Sequence, residues 1–262
     1  MEWREAGGTR WLEARLPGAT AAFSTRAGGA SAAPYDGLNL GVFTDDARDS
    51  VVGNRRTLAA ALGFAPERVA IARQVHGAEL VIHQGPQAPS PFAEPGVPIP
   101  EADGHATAER DLALLVFVAD CVPVALAGPD GVAMLHCGWR GLAAGMVARG
   151  AEAVGATDAA IGPSIGPCCY EVGEEVLEAL EPSPTGRKPL HMRGNRPVGR
   201  VDLADVAKRL LREAGVERVE SSGLCTSCES ELFFSHRRDA GRTGRQAGLV
   251  WRSREGPERW RG

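Results

Sequence analysis

The sequence predicts an α+β fold, with mixed β-sheets and flanking helices in a single large domain spanning residues 1–262. Three observations predict it. Apolar runs of strand length meet across Gly128-Pro129-Asp130-Gly131, a tetrapeptide with strong turn chemistry. Other strand-like runs are separated by segments with helical spacing, so hairpin and helix connections coexist, unlike a clean βαβ array. No composition break separates halves with independent motifs: the Pro-rich stretch 85–100 and the irregular stretch 182–197 read as long surface loops.

The elements follow in order. Alternating runs at 11–16 and 21–25 predict an opening strand pair, followed by a Gly/Ala/Ser-rich loop through Gly28-Gly29 to Tyr35. Residues 49–62 carry Val51, Val52, Leu58, Ala61 and Leu62 at helical spacing, with Gly63 placed to end the helix. Strand character resumes over 68–83. The runs 112–118 and 122–127 are almost continuously apolar, and 132–135 returns across the turn as a hairpin. Residues 142–154 read as a helix, 158–161 as a short strand and 174–180 as a helix, and Asp202 can cap a helix running to Ala214. Short strands near Arg218 and at 248–251 close the chain.

A chain of 262 residues can bury a substantial core. Its net charge of -4, with acids and bases mixed along the chain, argues against nucleic acid as a partner and leaves the arginine clusters for smaller anions. No leader pattern opens the chain and no apolar run reaches bilayer length, so a cytoplasmic protein without a membrane partner is expected. Six cysteines, with Cys168 and Cys169 adjacent, do not resemble a secreted disulfide framework, so reduced thiols are expected.

Three short segments carry metal-ligand chemistry: Arg73-Gln74-Val75-His76-Gly77, Ala119-Asp120-Cys121 and His136-Cys137-Gly138-Trp139-Arg140-Gly141. If the turn pairs residue 128 with 131, residue 123 faces 136, and Cys121 and His136 become diagonal neighbours on one face. Diagonal Cα separations of about 7–8 Å suit side chains converging on one ion. His76 must arrive from elsewhere in the chain. Three N/S ligands leave one tetrahedral position open, as in a catalytic zinc site. The competing reading is a core cysteine with two histidines satisfied by backbone carbonyls.

Asp103 and Asp120 are the acids placed to serve such a site, either by orienting a ligating imidazole or as a general base; a turn aspartate and a strand-end aspartate are the plain alternatives. The Gly/Pro loop from Gly162 through Cys168-Cys169 to Tyr170 reads as a structural turn, with free amides that could instead cradle an anion. Cys225-Thr226-Ser227-Cys228 spells CxxC, but no second CxxC or histidine pair completes a zinc pattern, so it stays outside the metal site. Arg237-Arg238 and Arg242 to Arg245 read either as a solvated face or as the lining of an anionic-substrate entrance.

Together with Leu38-Asn39-Leu40-Gly41, Asn54-Arg55, the residues 161–172, and Phe233-Phe234-Ser235-His236-Arg237-Arg238-Asp239 with Thr243-Gly244-Arg245, these segments resemble a known family over most of the chain. That family is the purine nucleoside phosphorylase/adenosine deaminase proteins formerly called multicopper polyphenol oxidases or laccase-domain proteins. The resemblance implies zinc held by His76, Cys121 and His136, and purine nucleosides and inorganic phosphate as substrates. It implies phosphorolysis of adenosine, inosine, guanosine and methylthioadenosine, plus deamination of adenosine. Deamination would use zinc-activated water attacking purine C6, with Asp103 or Asp120 moving protons beside Cys121. The usual deaminase signature, H-x-E with P-C-x-x-C, is missing, so such a site is independently built. Phosphorolysis needs cations and polar groups around phosphate, for which Arg55 and Arg140 are the candidates, with Asn39 and Gln74 as polar positioners.

The older oxidase label can be tested by counting. A blue-copper site needs a His₂Cys set and a multicopper enzyme adds a histidine-rich cluster, whereas this chain has six histidines and no H-x-H pair. A conventional laccase is excluded on ligand supply; adventitious copper in the open Cys/His site would allow only trace oxidation. Three alternatives use the same residues: a cysteine hydrolase with Cys121 as nucleophile, a peptidoglycan-precursor editing enzyme, and a zinc-stabilised non-enzymatic module with a fourth protein ligand.

Overall fold

The central strands are apolar at consecutive positions, which demands cover on both faces. The computed structural model, which describes residues 1–180, 191–193 and 196–252, provides that cover in four layers. In chain order its elements are β1 (Glu2–Ala6), β2 (Thr9–Leu16), β3 (Ala19–Ser24), α1 (Arg48–Ala61), β4 (Val69–Ala70), β5 (Leu80–His83), β6 (Gly104–Thr107), β7 (Ala113–Val118), β8 (Val122–Gly128) and β9 (Gly131–Cys137). There follow α2 (Trp139–Ala143), α3 (Met146–Val154), β10 (Asp158–Ile161), β11 (Glu171–Gly173), α4 (Glu174–Leu180), β12 (His191–Arg193), β13 (Arg196–Arg200), α5 (Leu203–Glu213), β14 (Arg218–Ser221) and β15 (Gln246–Arg252).

One sheet has the order β1-β2-β3-β15-β7-β4, a second β14-β10-β8-β9-β6-β5, and β11-β13-β12 form a small third. Both large sheets are mixed, because β4 runs parallel to β7, β5 to β6 and β10 to β14, among antiparallel neighbours. Alternation along each strand divides its side chains between two cores. Leu114 and Val116 of β7 meet Ala125, Ala127 and Met134 of the second sheet, while Ala113 and Leu115 point the other way, toward Leu58 of α1. Val122, Val124 and Leu126 of β8 likewise face Val147, Ala151 and Leu211 of the helices on the far side. The architecture is the expected α+β fold with mixed sheets and flanking helices.

Several expected elements stand close to their bounds. The β8–β9 hairpin has Gly128 opposite Gly131 and Pro123 opposite His136, the register argued from the turn. Asp202 caps α5 by accepting from Asp205 N at 3.1 Å. Other readings need correction. The apolar runs 112–118 and 122–127 lie in different sheets, joined by a corner at residues 119–121 where Asp120 takes φ 95°. Residues 142–154 are two helices, because Gly145 at φ 84° interrupts the i→i−4 ladder between α2 and α3. The 68–83 strand is two short strands, β4 and β5, separated by a loop that turns at His76, φ 61°.

The 85–100 loop is only partly a surface loop: Phe92, 1% exposed, joins the α1 core. In the 182–197 stretch, 191–193 and 196–197 belong to β12 and β13, and the rest lies outside the described residues. The sequence reading missed β1, a polar edge strand paired only with β2, and β6, which is too short to show a period. No helix among the described residues is long and apolar enough to cross a membrane.

A buried imidazole pair ties β5 to β6: His83 Nε2 and His105 Nδ1 are 2.9 Å apart. Burial, reinforced by the neighbouring His83, holds the His105 pKa down at about 3, whereas the unfolded chain protonates near 6.5. Below that value the unfolded state binds more protons than the folded one, so stability is present above pH 6.5 and falls as pH drops toward 3. The expected slope from this residue is about 1.4 kcal/mol per pH unit. Urea unfolding of the parent and His105→Gln across this window checks it; equal slopes in both would refute the assignment.

Candidate metal centre and substrate cavity

The metal-ligand segments converge because one buried carboxylate organises them. Asp103, fully buried before β6, accepts from three consecutive amides: Val75 N at 3.1 Å, His76 N at 2.9 Å and Gly77 N at 2.7 Å. Its Oδ1 also accepts from His136 Nδ1 at 2.7 Å, and His136 N donates to the Asp103 carbonyl at 2.7 Å. The strained turn that presents His76 and the orientation of the His136 ring therefore share one anchor. With Nδ1 protonated against the carboxylate, His136 turns Nε2 toward Cys121, where that nitrogen, once deprotonated, could coordinate a metal.

His76, Cys121 and His136 are brought together, their donor atoms all within 4.8 Å of one another. Cys121 sits one residue before β8, and the two imidazole rings meet edge-on with centroids 4.9 Å apart. Glycines permit this approach. A Cβ on Gly138 would lie 3.2 Å from both Cys121 Sγ and His76 Cδ2, and one on Gly141 would lie 2.9 Å from the Gly77 carbonyl. Burial alone would raise the Cys121 pKa, but the charge of His136 and hydrogen bonds from both imidazoles override it and hold the thiol at about 6. His136 responds oppositely: burial would lower it, and Cys121 and Asp103 raise it to about 9. A thiolate and two imidazoles, one fixed in tautomer by a carboxylate, are a fitting donor set for zinc.

These side chains open into a cavity of about 520 Å³, within the size range of small-molecule sites. Asp120 lies on its wall beside Cys121, with one oxygen accepting from Thr226 Oγ1 at 2.6 Å and the other from Arg237 N at 2.6 Å. Gln74 also lines it, while its amide is fastened to Phe117 N and O at 2.7 Å each, which ties the His76 loop to β7. Asn39 stands behind the wall, fully buried. It donates to Thr44 and Asp46 and accepts from Gly41 N and Arg245 N, so it shapes the lining loop 41–44.

Arg55 is the unusual cation of this wall. It is 1% exposed, stacks near Phe92 and Phe117, and donates to the carbonyls of Leu40, Pro91 and Phe92, leaving Nη2 buried without a partner. Desolvation lowers its pKa to about 9. Arg140 is exposed at the rim, over the Trp139 ring. The arginine run divides: Arg237 and Arg245 line the cavity, whereas Arg238 pairs with Asp239. Tyr170 and His236 also line it, and the sequence reading gave neither an individual role; their one signal was position within the segments that carry the family resemblance.

Two further readings are resolved. In the 162–170 loop, the amides of Gly162, Ser164, Ile165, Gly166, Cys169 and Tyr170 all donate within the protein, so the loop is a structural turn and no anion cradle. The CxxC at 225–228 is not isolated, because Cys168 and Cys169 pack against it. Sequence spacing could not show this, since the two pairs are far apart in the chain.

Comparisons with known proteins place the chain in a family. Residues 20–253 match the family model described as multi-copper polyphenol oxidoreductase laccase. The chain is 38% identical to purine nucleoside phosphorylase YlmD of Geobacillus stearothermophilus, covering 94% of this chain and 95% of the relative. It is 40% identical to a purine nucleoside phosphorylase of Deinococcus radiodurans, with 87% of each covered. Among solved structures, a Bacillus licheniformis hypothetical protein YfiH superposes with a TM-score of 0.85 at 32% identity, over 96% of this chain and 99% of that one. The YlmD structure superposes with a TM-score of 0.82 at 36% identity, over 95% of this chain and 97% of that one. With this coverage, the chain belongs to the laccase-domain family, whose Geobacillus stearothermophilus and Deinococcus radiodurans members bear the name purine nucleoside phosphorylase.

Proposed function

We propose that this chain is a zinc-dependent purine nucleoside phosphorylase acting on adenosine, inosine, guanosine and methylthioadenosine, with adenosine deaminase activity in the same cavity. The observation that carries the reading is one cavity of about 520 Å³ whose wall holds both the His76/Cys121/His136 donor set and the buried guanidinium of Arg55. A buried guanidinium without a carboxylate is costly, and a phosphate oxygen is its natural complement.

In phosphorolysis a phosphate oxygen bonds to ribose C1′ while the C1′–N9 bond breaks and its electron pair leaves on the purine. Arg55, with Arg140 at the rim, holds the phosphate, and Gln74 and Asn39 keep the walls in place. Zinc, when bound by His76, Cys121 and His136, supplies Lewis acidity in the cavity. In deamination Asp120, which faces the cavity beside Cys121, handles protons as water replaces ammonia at C6. Asp103 acts through His136 and is a positioning residue.

Chromatography of products from each nucleoside, with and without phosphate, tests the reading. Free base and ribose 1-phosphate, or 5-methylthioribose 1-phosphate from methylthioadenosine, are expected only with phosphate; adenosine is expected to give inosine without phosphate and hypoxanthine as well when phosphate is present. No base released at high phosphate refutes phosphorolysis; no inosine refutes deamination. Arg55→Lys is expected to raise the phosphate KM about 10-fold while metal content is unchanged, because an ammonium cannot reproduce the guanidinium fork. An unchanged phosphate KM would remove Arg55 from the phosphate site. The thiol held at about 6 also favours a second reading, a cysteine hydrolase using Cys121 as nucleophile. That reading requires activity to survive complete metal removal.

A further inference from the structure

The second cysteine cluster lies outside the chemistry above. Cys168 and Cys169 come from the turn after β10, and Cys225 and Cys228 from the turn after β14. All four sulfurs lie within 4.8 Å of one another, with Cys168 Sγ 3.4 Å and Cys169 Sγ 3.5 Å from Cys228 Sγ. Four sulfurs around zinc at a Zn–S distance of about 2.3 Å would sit about 3.8 Å apart. The observed separations are close to that and well beyond a disulfide bond of about 2.05 Å.

Ordinary packing does not account for the cluster. Free cysteines favour buried sites, yet Cys168 and Cys228 are exposed and the other two only partly covered. The backbone is also arranged around the sulfurs. Gly166 N donates to Cys225 Sγ at 3.2 Å, and a Cβ at Gly166 would lie 3.3 Å from Cys168 Sγ. Ser164 and Cys225 form a parallel bridge, with Ser164 N on the Leu224 carbonyl at 3.2 Å and Thr226 N on the Ser164 carbonyl at 3.0 Å. Two turns distant in sequence are thus held in register with two thiols each.

We propose that Cys168, Cys169, Cys225 and Cys228 form a second metal site, which binds one zinc ion as a tetrathiolate and braces the cavity wall. Thiolates select soft or borderline cations, and four of them leave no open position, so the site is structural. Its reach into the cavity is direct. One clamped turn carries Ile165 and Tyr170, both lining residues; the other places Thr226 on Asp120 and leads into His236 and Arg237.

Elemental analysis of the full-length protein, purified under reductant without metal-affinity steps, is expected to give about two zinc ions per chain. Cys121→Ala should retain about one, and Cys225→Ser/Cys228→Ser should also retain about one. In cobalt-substituted protein, the intense sulfur-to-cobalt charge transfer of four thiolates should persist in Cys121→Ala and fall to the level of one thiolate ligand in the double serine variant. The parental count and the Cys121→Ala spectrum do not depend on whether that double variant folds. Zinc unchanged in a folded double variant, iron or copper in place of zinc, or a disulfide among these cysteines with no metal would each overturn the proposal. Failure of the catalytic reading is separable, because it would leave the Cys121→Ala count equal to the parental one.

Discussion

Cys121→Ala is expected to lose the metal of the His76/Cys121/His136 set and, with it, roughly 10³-fold in kcat/KM for phosphorolysis, about 4 kcal/mol of transition-state stabilisation. Cys121 provides the one thiolate of the set, and without it only the imidazoles of His76 and His136 would remain to hold the ion. Cys121→Ser should fare little better, because a hydroxyl neither ionises at neutral pH nor matches a borderline metal as thiolate does. Elemental analysis beside steady-state kinetics reads both effects. A variant that loses activity while keeping its full metal complement would instead mark Cys121 as a nucleophile.

Asp103→Ala should combine a stability loss of about 3–5 kcal/mol with metal binding weakened about 10- to 100-fold. The carboxylate is fully buried and answers four donors: the amides of Val75, His76 and Gly77 and the Nδ1 of His136. Its removal strands these groups away from water and frees the ring that must present Nε2. Asp103→Asn should restore only part of the loss. Oδ2 accepts from Val75 and Gly77, and Oδ1 from His76 and His136, so an amide nitrogen on either side meets donors it cannot satisfy. Denaturant unfolding and chelator competition measure the two effects separately. An Asp103→Ala protein with parental unfolding midpoint would show that the anchor is dispensable.

Much of the fold was legible along the chain because turns, caps and periods are local. Gly128-Pro129-Asp130-Gly131 set the β8–β9 register, and that register by itself puts Cys121 near His136. Asp202 announced α5 through its own side chain. The resemblance carried His76 into the same set, and the structure gathers these three donor groups at one point.

Tertiary structure decided what no local window contains. The corner at Asp120 sends β7 and β8 into different sheets, although both are equally apolar, because strands covered on both faces carry no mark of which sheet they join. Arg55 lies on a helix face like any other arginine in sequence; only the packing of the 85–100 segment buries it and leaves Nη2 without a partner. Asp103 gains its role from amides far upstream of it. The CxxC at 225–228 read as incomplete because its other two thiols sit beyond any motif spacing, and they arrive only when β10 and β14 pair in parallel and set the turns that follow them side by side. Local sequence specifies conformations of a few residues, whereas a site assembled across sheets depends on which distant surfaces the whole core brings into contact.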